Sequence, residues 1–251
     1  MKTVLGLQIY SIRDIYFADK ANTLKEVKKI GYDAVEMFGG MDTPAEEMKK
    51  MLDDAGLVCC GYHTLYDWLS EENFEKTIEY NKVLGNKFII IPALPAEMIN
   101  STEAWLSTCE KLQALNEKIK AHDMVLGFHS HGAEHKIFED GNFGWALYGE
   151  NTSDDLVMQI DLGNCYNAGM DPIPLYEKYA HRGRTVHYKP FSLTEGYTAP
   201  IGADSIDWKK VLEITKNSGI CEFAIVEYES NDALTNVEKC AKALIEYGIK
   251  D

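Results

Sequence analysis

The chain has 251 residues, an apolar share of 45% and a formal net charge of −15. A length near 250 suits a single α/β barrel domain, large enough to bury a core without disulfides. The acidic balance argues against a nucleic-acid partner, which calls for a basic footprint; it leaves room for a small anionic substrate, because one ion or lysine reverses the local sign.

Read in chain order, one alternation runs throughout. Val4–Tyr10 is a short apolar strand. Thr23 with Glu26 three residues later has the capping-box spacing, so a helix is predicted over Leu24–Ile30. Strand two is Asp33–Phe38, and Pro44 and Gly56 bracket the next helix. Strands three to five are Leu57–His63, Lys87–Ile91 and Met124–His129, with helices over Glu71–Leu84 and Thr102–His122 between them. A short helix near Phe143–Tyr148 precedes strand six, Leu156–Asp161. Helix Pro172–Tyr179, strand Thr185–Lys189, helix Asp207–Ser218, strand Phe223–Tyr228 and helix Ala233–Tyr247 complete the series. Short apolar strands, each followed by a helix, are the pattern of a covered parallel sheet. An open doubly wound sheet would carry a glycine-rich turn after strand one, and QIYSIRD has none. The expected fold is one (β/α)8 TIM barrel over residues 1–251.

None of the six cysteines forms a CxxC pair, so they are expected to be free thiols in a reducing compartment. The opening MKTVLGLQIYSIRD turns polar too soon for a signal peptide. The apolar stretch Phe88–Leu94 falls far short of the ~20 residues of a membrane span. These features predict a cytoplasmic protein, monomer or homodimer, with no membrane contact.

Polar residues gather where the predicted strands end. Strand one ends in Gln8 and Tyr10, strand two holds Glu36, strand three His63, and strand five His129 and His131. Strand six ends at Asp161, strand seven holds His187 and Lys189, and strand eight Glu227 and Glu229. In a (β/α)8 barrel these ends form the active-site face, and a polar residue on a buried strand is either paired or engaged in chemistry. Carboxylates and imidazoles drawn from several strands suit one divalent ion: Mn2+, Mg2+, Zn2+ or Co2+.

These segments resemble the sugar phosphate isomerase/epimerase family of xylose isomerase-like TIM barrels. The resemblance rests on LGLQIYSIRD, TLKEVKKIGYDAVEMFG, GFHSHGAEH, QIDLGNCYNAG, VHYKP, IGADSIDW and IVEYE, in that order and spacing. It implies a metal held by Asp161, His187 and Glu227, with His129 or Glu134 as the strand-five ligand. Three departures bear on the substrate: Pro190 follows Lys189, Gly202-Ala203-Asp204 lacks a second glycine, and Gly163-Asn164-Cys165 follows strand six.

The implied activity is isomerisation or epimerisation of a small sugar, keto-sugar or sugar phosphate through a metal-stabilised enediolate. A lyase acting on a keto-polyol or keto-glycoside through the same site is the alternative. Glu227 would be the base, His131 (or His129, if it holds no metal) would act on the opposite face, and Lys189 would polarise a hydroxyl or hold an anionic group. Gln8, Tyr10, Glu36, His63 and Trp68 are expected at the substrate, with Trp145 as a further aromatic wall. His122, His135 and His181 are expected at the surface.

Overall fold

The computed structural model describes residues 2–230 and 232–250. Eight parallel strands form its barrel: β1 (Val4–Gln8), β2 (Ala34–Phe38), β3 (Val58–His63), β4 (Phe88–Ile91), β5 (Val125–His129), β6 (Val157–Gln159), β7 (Thr185–Tyr188) and β8 (Phe223–Val226). They run in ladder order β6-β5-β4-β3-β2-β1-β8-β7. A parallel bridge between Asp161 and His187 joins β6 to β7. The seam of the barrel therefore closes at the level of two of the expected ligands.

The helices are α1 (Arg13–Ala18), α2 (Lys20–Lys29), α3 (Ala45–Ala55), α4 (Phe74–Leu84), α5 (Thr102–Lys120), α6 (Gly144–Asn151), α7 (Leu162–Asn167), α8 (Pro172–Tyr179), α9 (Trp208–Ser218) and α10 (Ala233–Glu246). Gly56 ends α3 at φ 69°, a left-handed residue as its position in the sequence suggests. The capping box expected at Thr23 does not form. Asp19 caps α2 by accepting from Asn22 N at 3.1 Å, while the Thr23 hydroxyl donates to the Ile15 carbonyl from inside the helix. Two short helices, α1 and α7, were not expected.

Alternate strand residues share a face, and this parity sorts the barrel interior into layers. Ala34, Cys60 and Ile225 pack together, as do Phe88, Ile90 and Val157. Two residues further along each strand the same face carries Glu36, Gln159 and Glu227. On β3 an irregularity opposite Val35 and Glu36 inserts Cys60, so that Gly61 pairs with Glu36 and His63 with Phe38. A Cβ on Gly61 would collide with Glu36 Oε1, so the missing side chain makes room for a buried carboxylate. Gly127 serves the apolar layer below: a Cβ there would lie 2.5 Å from Ile90 Cδ1 and 2.9 Å from Val157 Cβ. Gly127→Ala should therefore cost about 1–3 kcal/mol of stability through overpacking, read as a lower urea midpoint at unchanged slope.

All six cysteines are buried free thiols. Among the described residues no helix is long and apolar enough to cross a membrane.

Candidate active site

The site begins with a buried carboxylate. Glu36, on β2, is fully buried, and its Oε2 accepts from Gln8 Nε2 at 2.8 Å and lies 2.6 Å from His187 Nε2 and 3.1 Å from His63 Nε2. Its Oε1 accepts from Gln159 Nε2 at 2.8 Å. Gln159 also donates to Thr185 Oγ1 at 2.9 Å, and its own oxygen lies 3.0 Å from both His63 Nε2 and His129 Nδ1. Burial opposes the charge on Glu36, but the adjacent His63 and His187 outweigh it and hold this carboxyl far below the usual carboxylate range.

Above this layer, one donor atom from each of His129, Asp161, His187 and Glu227 falls within 4.8 Å of the others. His187 Nδ1 is 2.6 Å from Glu227 Oε2, and both it and His129 Nε2 are 3.9 Å from Asp161 Oδ2. Asp161 caps α7, its Oδ1 accepting from Asn164 N at 2.7 Å. Its Oδ2 is buried with no hydrogen-bond partner among the described residues. A buried charged oxygen without a partner is costly. Here it faces two imidazoles and a carboxylate, a donor set that fits a borderline divalent ion.

The two candidates for the strand-five ligand sit in different surroundings. His129 is in the four-residue group. Glu134 is not: its Oε2 accepts from His131 N at 2.7 Å, and the His131 side chain accepts from the Glu134 backbone in return. This reciprocal cap of the turn Gly132–His135 commits the Glu134 carboxylate locally. It also fixes His131 at the mouth, its ring centroid 4.7 Å from that of His129.

Lys189 is buried beside the group, 3.4 Å from Glu227 Oε1 and 4.0 Å from Asp161 Oδ2, and it also contacts Glu229. Burial works against its charge, yet Glu227, Asp161 and Glu229 together hold the ammonium well above the ordinary lysine range. It is a fixed cation, unsuited to nucleophilic work. Gly163 admits it: a Cβ there would lie 2.7 Å from the Lys189 carbonyl oxygen and 3.1 Å from its Cγ. Asn164 accepts from the Tyr197 hydroxyl at 2.9 Å, and the Tyr197 ring lies 5.1 Å from Lys189 Nζ.

The residues expected at the substrate face take different places in the structure. Gln8, Glu36 and His63 lie in a hydrogen-bonded layer, the Gln8 amide, the Glu36 carboxylate and His63 Nε2 engaging one another and Gln159; His63 also groups with His129 and His187. Gln8 Oε1 accepts from Tyr10 N at 3.0 Å, which uses the remaining end of that amide. Trp68 lies near Lys76 of α4, its ring 5.5 Å from the ammonium. Trp145 is fully buried, packed against Phe128 and Tyr148. Tyr10 packs edge-on against Phe38, with the Arg13 guanidinium 4.2 Å from its ring centroid. His135, expected at the surface, is buried next to Trp145. Gln159 was not among the candidates; its place two residues before Asp161, in the same inward phase, was the available signal.

A (β/α)8 barrel with acidic and imidazole side chains converging at the C-terminal ends of its strands is an enzyme-like architecture. The chain belongs to the xylose isomerase-like TIM barrel family, whose model matches residues 24–248. Among solved structures it is similar to a sugar phosphate isomerase/epimerase from Parabacteroides distasonis, with a TM-score of 0.85 and 21% identity over 100% of both chains. A second protein so described from that organism has a TM-score of 0.82 and 23% identity, over 100% of this chain and 96% of the other. The probable 3-DHS dehydratase AsbF of Bacillus anthracis follows at 0.71 and 16%, over 98% of this chain and 99% of the other. A comparison with curated proteins gives no match. Identities this low establish a shared fold.

Proposed function

We propose that the protein is a metal-dependent isomerase or epimerase acting on a small sugar, keto-sugar or sugar phosphate. The observation that carries this reading is the four-residue donor group around the unpartnered Asp161 Oδ2. Asp161, His187, Glu227 and His129 would hold one divalent ion. When bound, the ion supplies Lewis-acid withdrawal of charge from a substrate carbonyl.

The chain's own groups account for the proton movements. Burial raises the Glu227 carboxyl, but Lys189 and His187 overcome that and keep it ionised. As a carboxylate it accepts the proton from the carbon next to the carbonyl. Lys189, permanently charged, stabilises negative charge developing beside it. His131 stands at the mouth beside His129; burial keeps its ring neutral, and it would pass a proton taken from solvent to the opposite face, giving epimerisation. Family membership and the Parabacteroides distasonis neighbours support this reading.

A lyase is the second reading, favoured by one feature: the strand-five member of the donor group is an imidazole, His129, and not a second carboxylate base, with His131 beside it. The neutral His131 ring, one nitrogen accepting from the Glu134 N–H, would offer its other N–H to a departing β-hydroxyl, and the dehydratase neighbour has the same fold. A ketose panel in D2O, with and without EDTA, tests both. Epimerisation places solvent deuterium in one sugar, EDTA stops it, and Glu227→Gln slows it by about 100-fold or more. Elimination instead produces an ultraviolet-absorbing enone. A panel showing neither would sink the enzyme reading.

A further inference from the structure

The layer beneath the donor group constrains where the imidazole protons sit. A carboxylate without a proton only accepts hydrogen bonds. The Gln159 nitrogen must therefore be the end that faces Glu36 Oε1, and Thr185 Oγ1 takes its other hydrogen. That orients the amide: its oxygen faces His129 Nδ1 and His63 Nε2, each at 3.0 Å. An amide oxygen also only accepts, so His129 carries its proton on Nδ1. Its lone pair is then on Nε2, the nitrogen that faces Asp161 Oδ2. His187 obeys the same logic. Its Nε2–H is committed to Glu36 Oε2, which leaves Nδ1 toward Glu227 and Asp161.

We infer that Glu36 and Gln159 are positioning residues forming a tautomer-setting relay, which presents His129 Nε2 and His187 Nδ1 to the ion. The inference rests on the metal-site reading. It goes further by giving roles to two residues that touch neither ion nor substrate. Hydrogen-bond partners of metal-ligating histidines generally fix the tautomer and ring orientation. Here one acceptor on β2 does so for two imidazoles, reaching β5 only through an amide on β6.

The relay has a consequence that simple packing lacks. In Glu36→Gln the new amide has one accepting end where the carboxylate had two. Either Gln159 turns over and drives the His129 proton to Nε2, or His187 loses the acceptor for its Nε2–H. Metal affinity should fall although the substituted side chain does not touch His129. Gln159→Leu removes the acceptor for His129 directly.

The test uses nitrogen-15 NMR of the histidine rings in the metal-free protein, together with Co2+ titration against a chelator. Wild-type His129 is expected as the Nδ1–H tautomer. Gln159→Leu and Glu36→Gln should each weaken Co2+ binding by about 10–100-fold, with a changed visible spectrum of the bound Co2+. A wild-type His129 protonated on Nε2 overturns the relay, as does wild-type Co2+ affinity in both variants. If the variants do not fold, the wild-type tautomer decides the question. A wild-type protein that binds no Co2+, Mn2+ or Zn2+ would instead remove the metal-site reading, whatever tautomer His129 shows.

Discussion

Between pH 8 and pH 6 the affinity of the protein for a divalent cation should fall by roughly a thousandfold, because cation and protons compete for the same atoms. Burial alone would push His187 down, but the charge on Glu36 and the hydrogen bonds to Glu227 and Glu36 raise it to about 10. Its Nδ1 must lose a proton before it can act as a ligand. Asp161 is likewise raised above the carboxylate range, chiefly by burial and then by Glu227, against the pull of Lys189 and His187. Both values are raised, so both protons are held more firmly as the pH falls, and affinity rises with pH. The displaced protons number about one at pH 8, from His187, and approach two toward pH 6 as Asp161 joins. Each displaced proton changes affinity about tenfold per pH unit. Chelator-competed Co2+ titrations across this range give the slope, and calorimetry in buffers of different ionisation enthalpy counts the protons. A flat profile would mean that in the metal-free protein His187 is neutral and Asp161 ionised across this range.

The barrel was legible because strand and helix periods alternate cleanly and because glycine closes a helix, as Gly56 does, wherever a left-handed residue is needed. The family resemblance implied the grouping of Asp161, His187 and Glu227, at strand ends that a parallel barrel brings to one rim. The rest depended on contacts no single strand encodes. His129 and Glu134 could not be separated, because the carboxylate is diverted by a hydrogen bond three residues back along its own turn. Gln159 was overlooked because a lone amide near a strand end carries no charge and matches no ligand pattern. For Glu36 and His63 the inward phase was visible in the sequence but the depth was not. That depth was set by the irregularity at Cys60, which pairs Glu36 with a glycine. Trp145 was placed at the rim by chain order, whereas α6 packs it against Phe128 of β5. Helix α2 began earlier than expected because Asp19 could reach the amide of Asn22, and the Thr23 hydroxyl had an acceptor at Ile15.

Asp161→Asn should separate function from stability in opposite directions. Cation affinity should drop by at least about 100-fold, more than the loss of a residue that merely orients a ligand. The metal-free protein should at the same time gain on the order of 1–2 kcal/mol at pH 8. The Asp161 side chain is fully buried and its Oδ2 has no hydrogen-bond partner among the described residues. An asparagine keeps an oxygen for the Asn164 N–H that caps α7 and brings no charge into the interior. The direction follows from the raised folded-state value. A carboxyl with a higher pKa folded than unfolded destabilises the native state once the pH exceeds both values. That cost fades as the pH falls from about 7 toward the ordinary carboxylate value, so the advantage of the variant should shrink in acid. Saturating Co2+ should reverse the ranking, because a ligand bound only by the native wild type adds stability in proportion to the logarithm of its excess over Kd. Urea unfolding of both proteins, with and without Co2+ at pH 8 and again at lower pH, reads all of these signs. A metal-free variant weaker than wild type at pH 8 would show that Asp161 is held in place by Lys189 and His187 as a structural ion pair, and that the open oxygen is no vacancy for a cation.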